Sequence, residues 1–325
     1  MHYLVTGGCG FIGSHLVHQL LAQNHEVTVL DDFSTGRVEN LGENKSHERL
    51  RLVTGSVTDS SIVEEAMQNV DAVFHLASAV GVRLIMSRPI ESIDTMVVGT
   101  QNVLRSASRF RLPLLLTSTS EVYGKSKEVP FDEDGDRLEG PTTKHRWAYA
   151  CAKALDEFMA LAYWRTTGLP VVVVRLFNTV GPKQLGQYGM VIPSFIQRAL
   201  AAQPLEIHGD GLQTRCFCHV ADVVRGLQLL IGCPQAYGQV VNLGSTDEIS
   251  ISDLALRIIT ELGSCSPLVK LPYQEVYGDG FEDMQRRVPN ISKAFRLTGW
   301  KPEKGLSDII RDVASDLSDQ HSISK

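Results

Sequence analysis

Apolar runs of strand length alternate with helix-length amphipathic stretches through the first half of the chain. Tyr3–Thr6, Glu26–Leu30, Arg51–Val53, Ala72–Leu76, Leu114–Ser118 and Val171–Leu176 read as strands. Phe11–Gln23, Ser92–Phe110 and Tyr149–Thr167 read as helices between them, and Ser61-Ile62-Val63-Glu64 has the form of a capping box that opens another. Most of the strands are apolar throughout rather than alternating, the pattern of strands buried on both faces. Such strands alternating with helices predict an α/β fold, a Rossmann-type doubly wound parallel sheet. Past Gly181-Pro182 the regularity weakens. Val191–Ala202 and Ser252–Leu262 read as helices, and Val240–Leu243 as a buried strand that returns the chain to the sheet. From Gly263 the pattern is short strands and turns, closing on a helix near Leu306–Leu317.

Composition narrows the function classes. The 325 residues, 43% hydrophobic and 21% charged, suit a soluble globular chain with a sizeable core and an added lobe. A net charge of −6 argues against nucleic acid as a partner. The N-terminus is apolar, with no basic segment before it, and runs directly into a glycine loop. It is therefore read as a first strand and not as a signal peptide. No apolar run approaches transmembrane length. The expectation is a cytoplasmic protein with no membrane partner. Six cysteines show no paired metal-ligand spacing, so they are expected to be reduced thiols and no metal is expected.

The candidate chemistry begins at Gly7-Gly8-Cys9-Gly10-Phe11-Ile12-Gly13, between the first strand and the first helix. Glycines at positions 7, 10 and 13 let the backbone approach a pyrophosphate, and the helix N-terminus supplies N–H donors. Asp31 ends the second strand, where a carboxylate accepts from the adenosine ribose and repels a 2′-phosphate, favouring NAD over NADP. The dinucleotide is expected against Gly7, Gly10, Phe11, Ile12, Gly13, Asp31, Asp32, Ser56, Val57, Leu76 and Ala77, with Tyr149 and Lys153 at its reactive end. An NAD-binding domain of residues 1–176 plus about 214–244 is expected. A smaller discontinuous substrate lobe takes about 177–213 and 245–317, and residues 318–325 form a disordered tail. Tyr149 and Lys153, four apart, share one helix face. The ammonium is expected to make the phenol acidic enough to take a proton from a sugar hydroxyl. Thr117-Ser118-Thr119-Ser120-Glu121-Val122-Tyr123-Gly124 follows the fifth strand, on the side where ligands bind.

With these motifs and Phe177-Asn178-Thr179-Val180-Gly181-Pro182, the chain resembles, to about Trp300, extended short-chain dehydrogenases acting on nucleotide sugars. Ser118–Gly124 and Lys144-His145-Arg146-Trp147-Ala148-Tyr149 are most similar to UDP-glucuronate decarboxylases, the UDP-xylose synthases among them. The resemblance implies NAD as cofactor, a UDP-sugar as substrate and a homodimer. It implies catalytic roles for Thr119, Glu121, Tyr149 and Lys153. Ser120, Glu121, Arg146, Tyr149, Asn178, Arg215 and Arg287 would meet the substrate. Asn178 would hold the diphosphate, Arg146 the sugar carboxylate, and Arg287 the nucleotide. It also implies oxidation at the sugar C4 and loss of CO2, followed by re-reduction to UDP-xylose or release of the 4-ketopentose.

Three departures stand out. Ser56 replaces an Asp beside adenine, Met96 replaces an Asn, and Ser78–Arg83 lacks the proline-and-tyrosine loop of the xylose synthases. The last keeps a UDP-sugar 4-epimerase as the alternative. Ser120-Glu121 in place of Asp-Glu disfavours a 4,6-dehydratase, and the presence of Thr119, Tyr149 and Lys153 disfavours a silent NAD sensor. His75, His208 and His219 are read as structural.

Overall fold

The first strand is a buried apolar ribbon, and everything that positions the candidate site is laid out from it. The computed structural model describes residues 1–79, 88–144, 147–184, 186, 190–277 and 284–323, with residues 320–323 described by backbone alone. In chain order the elements begin β1 (His2–Thr6), α1 (Phe11–Ala22), β2 (Glu26–Asp31), β3 (Leu50–Thr54), α2 (Ser60–Ala66), β4 (Ala72–His75), α3 (Pro89–Phe110) and β5 (Leu114–Thr119). They continue with α4 (Trp147–Thr167), β6 (Val171–Leu176), β7 (Thr179–Val180), α5 (Val191–Leu200), β8 (Leu205–His208), β9 (Thr214–Cys216) and β10 (Cys218–His219). The remainder is α6 (Val220–Ile231), β11 (Val240–Leu243), β12 (Glu248–Ser250), α7 (Ile251–Leu262), β13 (Leu268–Leu271), α8 (Tyr273–Tyr277), α9 (Ser292–Thr298) and α10 (Leu306–Ile323).

Seven strands form one parallel sheet in the order β11-β6-β5-β4-β1-β2-β3. The chain winds outward from β1 in one direction through β3, then returns and winds the other way from β4. The reversal opens a crevice between the carboxyl ends of β1 and β4, the place where such sheets bind ligands. Apolar side chains fill both faces. Leu16, Val17 and Leu20 of α1 with Val223 and Leu227 of α6 cover one; Val63 of α2, Val103 and Leu104 of α3 and Ala160 of α4 cover the other. A third, separate apolar cluster joins Ile192 and Phe195 of α5, Leu254 and Ile258 of α7 and Ile309 and Val313 of α10. Short strands brace that region: β8 pairs β13 in parallel and β9 pairs β12 antiparallel.

Three sequence expectations need correction. The capping residue of α2 is Asp59, whose carboxylate accepts from the N–H of Ser61 and Ile62, so the helix begins before the Ser61 box. Helix α3 starts at Pro89, three residues early, because proline at the first helical position sacrifices no hydrogen bond. The tail expected to be disordered is helical as far as Ile323, since α10 continues beyond its apolar stripe.

Candidate active site

The glycine loop is tight enough to make its backbone the wall of the site. Gly7 has φ +70°, and a Cβ there would lie 2.8 Å from the Ala77 nitrogen, so β1 turns directly against the end of β4. A Cβ on Gly13 would sit 2.1 Å from the Gly7 carbonyl oxygen, so the first turn of α1 rests on the loop itself. At the end of β2, buried Asp31 accepts from the N–H groups of Cys9 and Phe33, both at 2.9 Å. Burial pushes its carboxyl above the usual carboxylate range, and the two N–H groups oppose the shift. Asn40 donates to the Cys9 carbonyl at 2.8 Å, and Lys183 Nζ donates to the Asn40 carbonyl at 2.6 Å. The Lys183 N–H in turn donates to Asp316 of α10 at 2.9 Å. A chain of hydrogen bonds thus runs from the glycine loop to the last helix.

A cavity of about 730 Å³ begins at this loop and runs across the carboxyl ends of the strands. Its walls include Gly7, Gly10, Phe11, Ile12, Gly13, Asp31, Asp32, Val57, Leu76 and Ala77 at one end. Thr119, Ser120, Glu121, Tyr149 and Lys153 line the middle; Asn178, Arg215 and Arg287 line the far side. Ser56 is not among the lining residues. Its hydroxyl pairs with that of Thr58 at 2.9 Å, and Gly55 and Val57 form the wall there. Arg146 and the Val80–Arg83 segment lie outside the described residues.

The reactive centre departs from the sequence expectation in one respect. The Tyr149 phenol accepts help from a Thr119 hydrogen bond, yet its pKa is raised above the ordinary value of 10.0. Burial is the largest cause, followed by the Glu121 carboxylate, with Asp156 also contributing. Lys153 is engaged elsewhere: its Nζ is 3.1 Å from Asp156 Oδ2, and both side chains are buried. The expected acidification of Tyr149 by Lys153 is therefore offset by a carboxylate three residues further along the helix.

Glu121, in the 3-10 turn Ser120–Tyr123 after β5, meets Arg287 with Oε1–Nη1 at 2.6 Å. Arg287, which the resemblance set against the nucleotide, lines the cavity and holds the carboxylate near Tyr149. Asn178 donates to the Cys216 carbonyl at 3.2 Å, and buried Arg215 donates to the Thr214 carbonyl at 2.8 Å. Sequence reasoning missed Asp156, Asn40 and Lys183. Asp156 carried a signal in its helical spacing from Lys153, and Lys183 in its place directly after the Gly181-Pro182 turn.

His75 is structural, as read. It is buried between the hydroxyls of Thr6 at 2.7 Å and Thr100 at 3.1 Å, and desolvation lowers its pKa to about 3. His208 lines the cavity. Among the described residues no cluster of three His, Cys, Asp or Glu could hold a metal, and no helix is long and apolar enough to cross a membrane. The residues present fit a dinucleotide: glycines a methyl would obstruct, a carboxylate at the end of β2, and a cavity joining both to a phenol and an ammonium.

Comparison with known proteins agrees with this geometry. The family model described as GDP-mannose 4,6 dehydratase matches residues 4–313. The chain is 40% identical to UDP-N-acetyl-alpha-D-glucosaminuronate decarboxylase of Bacillus cytotoxicus, covering 96% of this chain and 98% of that protein. It is 38% identical to UDP-glucuronic acid decarboxylase 1 of Danio rerio, covering 98% of this chain and 73% of that protein. Among solved structures, DesIV of Streptomyces venezuelae, a dTDP-glucose 4,6-dehydratase with NAD bound, is similar at 30% identity and a TM-score of 0.88, covering 99% of this chain and 98% of that one. UDP-N-acetylglucosamine 4-epimerase of Methanobrevibacter ruminantium is similar at 28% identity and a TM-score of 0.89, covering 98% of each chain.

Proposed function

The chain belongs to the GDP-mannose 4,6-dehydratase family, and from that premise we propose that it is an NAD-dependent decarboxylase of a UDP-hexuronate, UDP-glucuronate in the first instance. The observation that carries the reading is the Glu121–Arg287 pair, set in the cavity wall beside Thr119 and Tyr149. It supports a carboxylate that handles protons and a cation at the point where a sugar acid would react.

Gly7, Gly10, Gly13 and Asp31 hold the dinucleotide, and Lys153 holds its ribose near Tyr149. When bound, NAD⁺ supplies a hydride acceptor, and its cationic ring adds a positive charge that favours the phenolate. Tyr149 takes the proton of the C4 hydroxyl as hydride leaves the same carbon. The resulting ketone is β to the C6 carboxylate, so loss of CO2 leaves an enolate that the ketone delocalises. Glu121 and Ser120 manage the proton delivered to C5, and Tyr149 returns its proton to O4 as hydride comes back. Arg215 and Asn178 face the diphosphate, a task suited to a guanidinium fork in a net-acidic chain. The sugar nucleotide occupies the lobe of about 177–213 and 245–317, and the dinucleotide occupies the sheet.

Apolar side chains are exposed on adjacent helices: Ile90 and Ile93 of α3, and Leu155 and Phe158 of α4. They support a homodimer that buries this face. The relative from Bacillus cytotoxicus makes the 2-acetamido uronate a second substrate to try. Purified protein with NAD⁺ and each UDP-uronate should release CO2 and yield a product lighter by one carboxyl group. Glu121→Gln should impair that loss while sparing NAD⁺ binding. An isomer of unchanged mass, with no CO2, would replace the reading with a UDP-sugar 4-epimerase.

A further inference from the structure

We propose that Asp156 is the positioning residue for Lys153: its buried carboxylate fixes the ammonium and offsets its charge, and so governs how readily Tyr149 gives up its proton. Tyr149, Lys153 and Asp156 stand at i, i+4 and i+7 of α4, which puts all three on one helix face. Asp156 is 0% exposed, and its Oδ2 lies 3.1 Å from Lys153 Nζ. The Thr100 hydroxyl of α3 lies near this carboxylate and 3.1 Å from His75 Nε2, while the other carboxylate oxygen, Oδ1, is buried with no hydrogen bond to the described residues. A buried ion pair is a weak source of stability, because desolvation offsets most of the attraction. Beside a group that must exchange a proton, its larger effect is on that group.

The charges facing the cluster leave Lys153 as the relevant cation. Glu121, after β5, is locked onto Arg287. Glu157, the next residue of α4, is held by Arg175 of β6 at 2.7 Å. His75 of β4 is neutral near pH 7, with its pKa at about 3. Thr100 is the α3 side chain in contact and carries no charge. With Asp156 present, each of the three cations sits beside its own carboxylate, and the Glu121 and Asp156 carboxylates both act to raise the Tyr149 pKa. Without it, the Lys153 ammonium would act on the phenol uncompensated, and an uncompensated cation favours the phenolate.

The inference rests on Tyr149 as the proton acceptor, so its first readout requires no turnover. Asp156→Asn keeps the shape and removes the charge. The Tyr149 ionisation is read as the tyrosinate absorbance that each protein shows in excess of its Tyr149→Phe partner, with NAD⁺ bound and no sugar present. Its midpoint should fall by about one pH unit in Asp156→Asn, the low end of what a neighbouring charge does. The acidic limb of turnover should move the same way, and Asp156→Glu, which restores the charge, should return both toward wild type. Asp156→Ala carries the same expectation should the Asn variant not fold. A midpoint that stays in place or rises, in protein with a normal melting profile, overturns the inference. Wild-type protein that leaves every UDP-uronate untouched would sink the decarboxylase reading and leave the absorbance result standing.

Discussion

The two ends of the cavity are built by different means. At the dinucleotide end the walls are mainly backbone: a loop in which Gly7 and Gly13 leave no room for a methyl group, with Asp31 already held by two N–H donors. At the end proposed for the sugar the walls are polar and charged side chains drawn from distant segments, and these are engaged with the protein itself. Arg287 holds Glu121, Arg215 holds the Thr214 carbonyl, and Asn178 holds the Cys216 carbonyl. The first end is rigid before any ligand arrives. On the proposed function the second exchanges protein partners for ligand groups, which would make recognition there a competition that carries specificity as well as affinity.

This contrast can be broken at several points. Tyr149→Phe sits between the ends and should leave both bindings intact while turnover falls at least about a hundredfold, the lower range for one general base. Steady-state rates beside NAD⁺ and UDP-uronate titrations check it, and near-normal activity would assign the proton to another group. Gly13→Ala should act on the rigid end alone, weakening NAD⁺ by about 1–3 kcal/mol through overpacking against Gly7. Calorimetric titration of both ligands reads the separation. Arg287→Ala should do the reverse, raising the UDP-uronate requirement roughly tenfold, the scale of a lost charged hydrogen bond, with NAD⁺ affinity unchanged. If each variant weakened both ligands equally, the two ends would not be independent.

The smallest expected effect concerns the floor beneath both. His75 is buried neutral, its pKa lowered from 6.5 to about 3. The unfolded chain therefore binds a proton that the folded chain refuses. The contribution is complete above about pH 6.5 and is lost as pH falls toward 3. Melting temperature should drop by a few degrees more across that window in wild type than in His75→Gln.

The same division explains what could be read from the sequence. The dinucleotide end was legible because strand, glycine loop, helix and Asp31 follow one another within 31 residues, and each obeys a local rule. Tyr149 and Lys153 were legible because helical spacing alone puts them on one face. The Lys153–Asp156 contact was available from the same spacing, yet burial decides whether such a pair is strong, and burial is a tertiary property. The Glu121–Arg287 contact spans the chain, and no local pattern marks it. The short strands β8 and β13 pair Leu205–His208 with Leu268–Leu271, segments too brief to stand out before their partners are known. Helix α9 escaped notice as a seven-residue segment between turns.

The hydrogen-bond chain from Cys9 through Asn40 and Lys183 to Asp316 has a thermodynamic consequence. Its members lie on the glycine loop, on the turn after β2, after β7 and on the last helix, so hydrogen bonds tie the packing of α10 to the mouth of the cavity. A ligand that fills the mouth and braces this chain of hydrogen bonds is expected to slow the local opening of a helix hundreds of residues away in sequence, and amide exchange in α10 would read it.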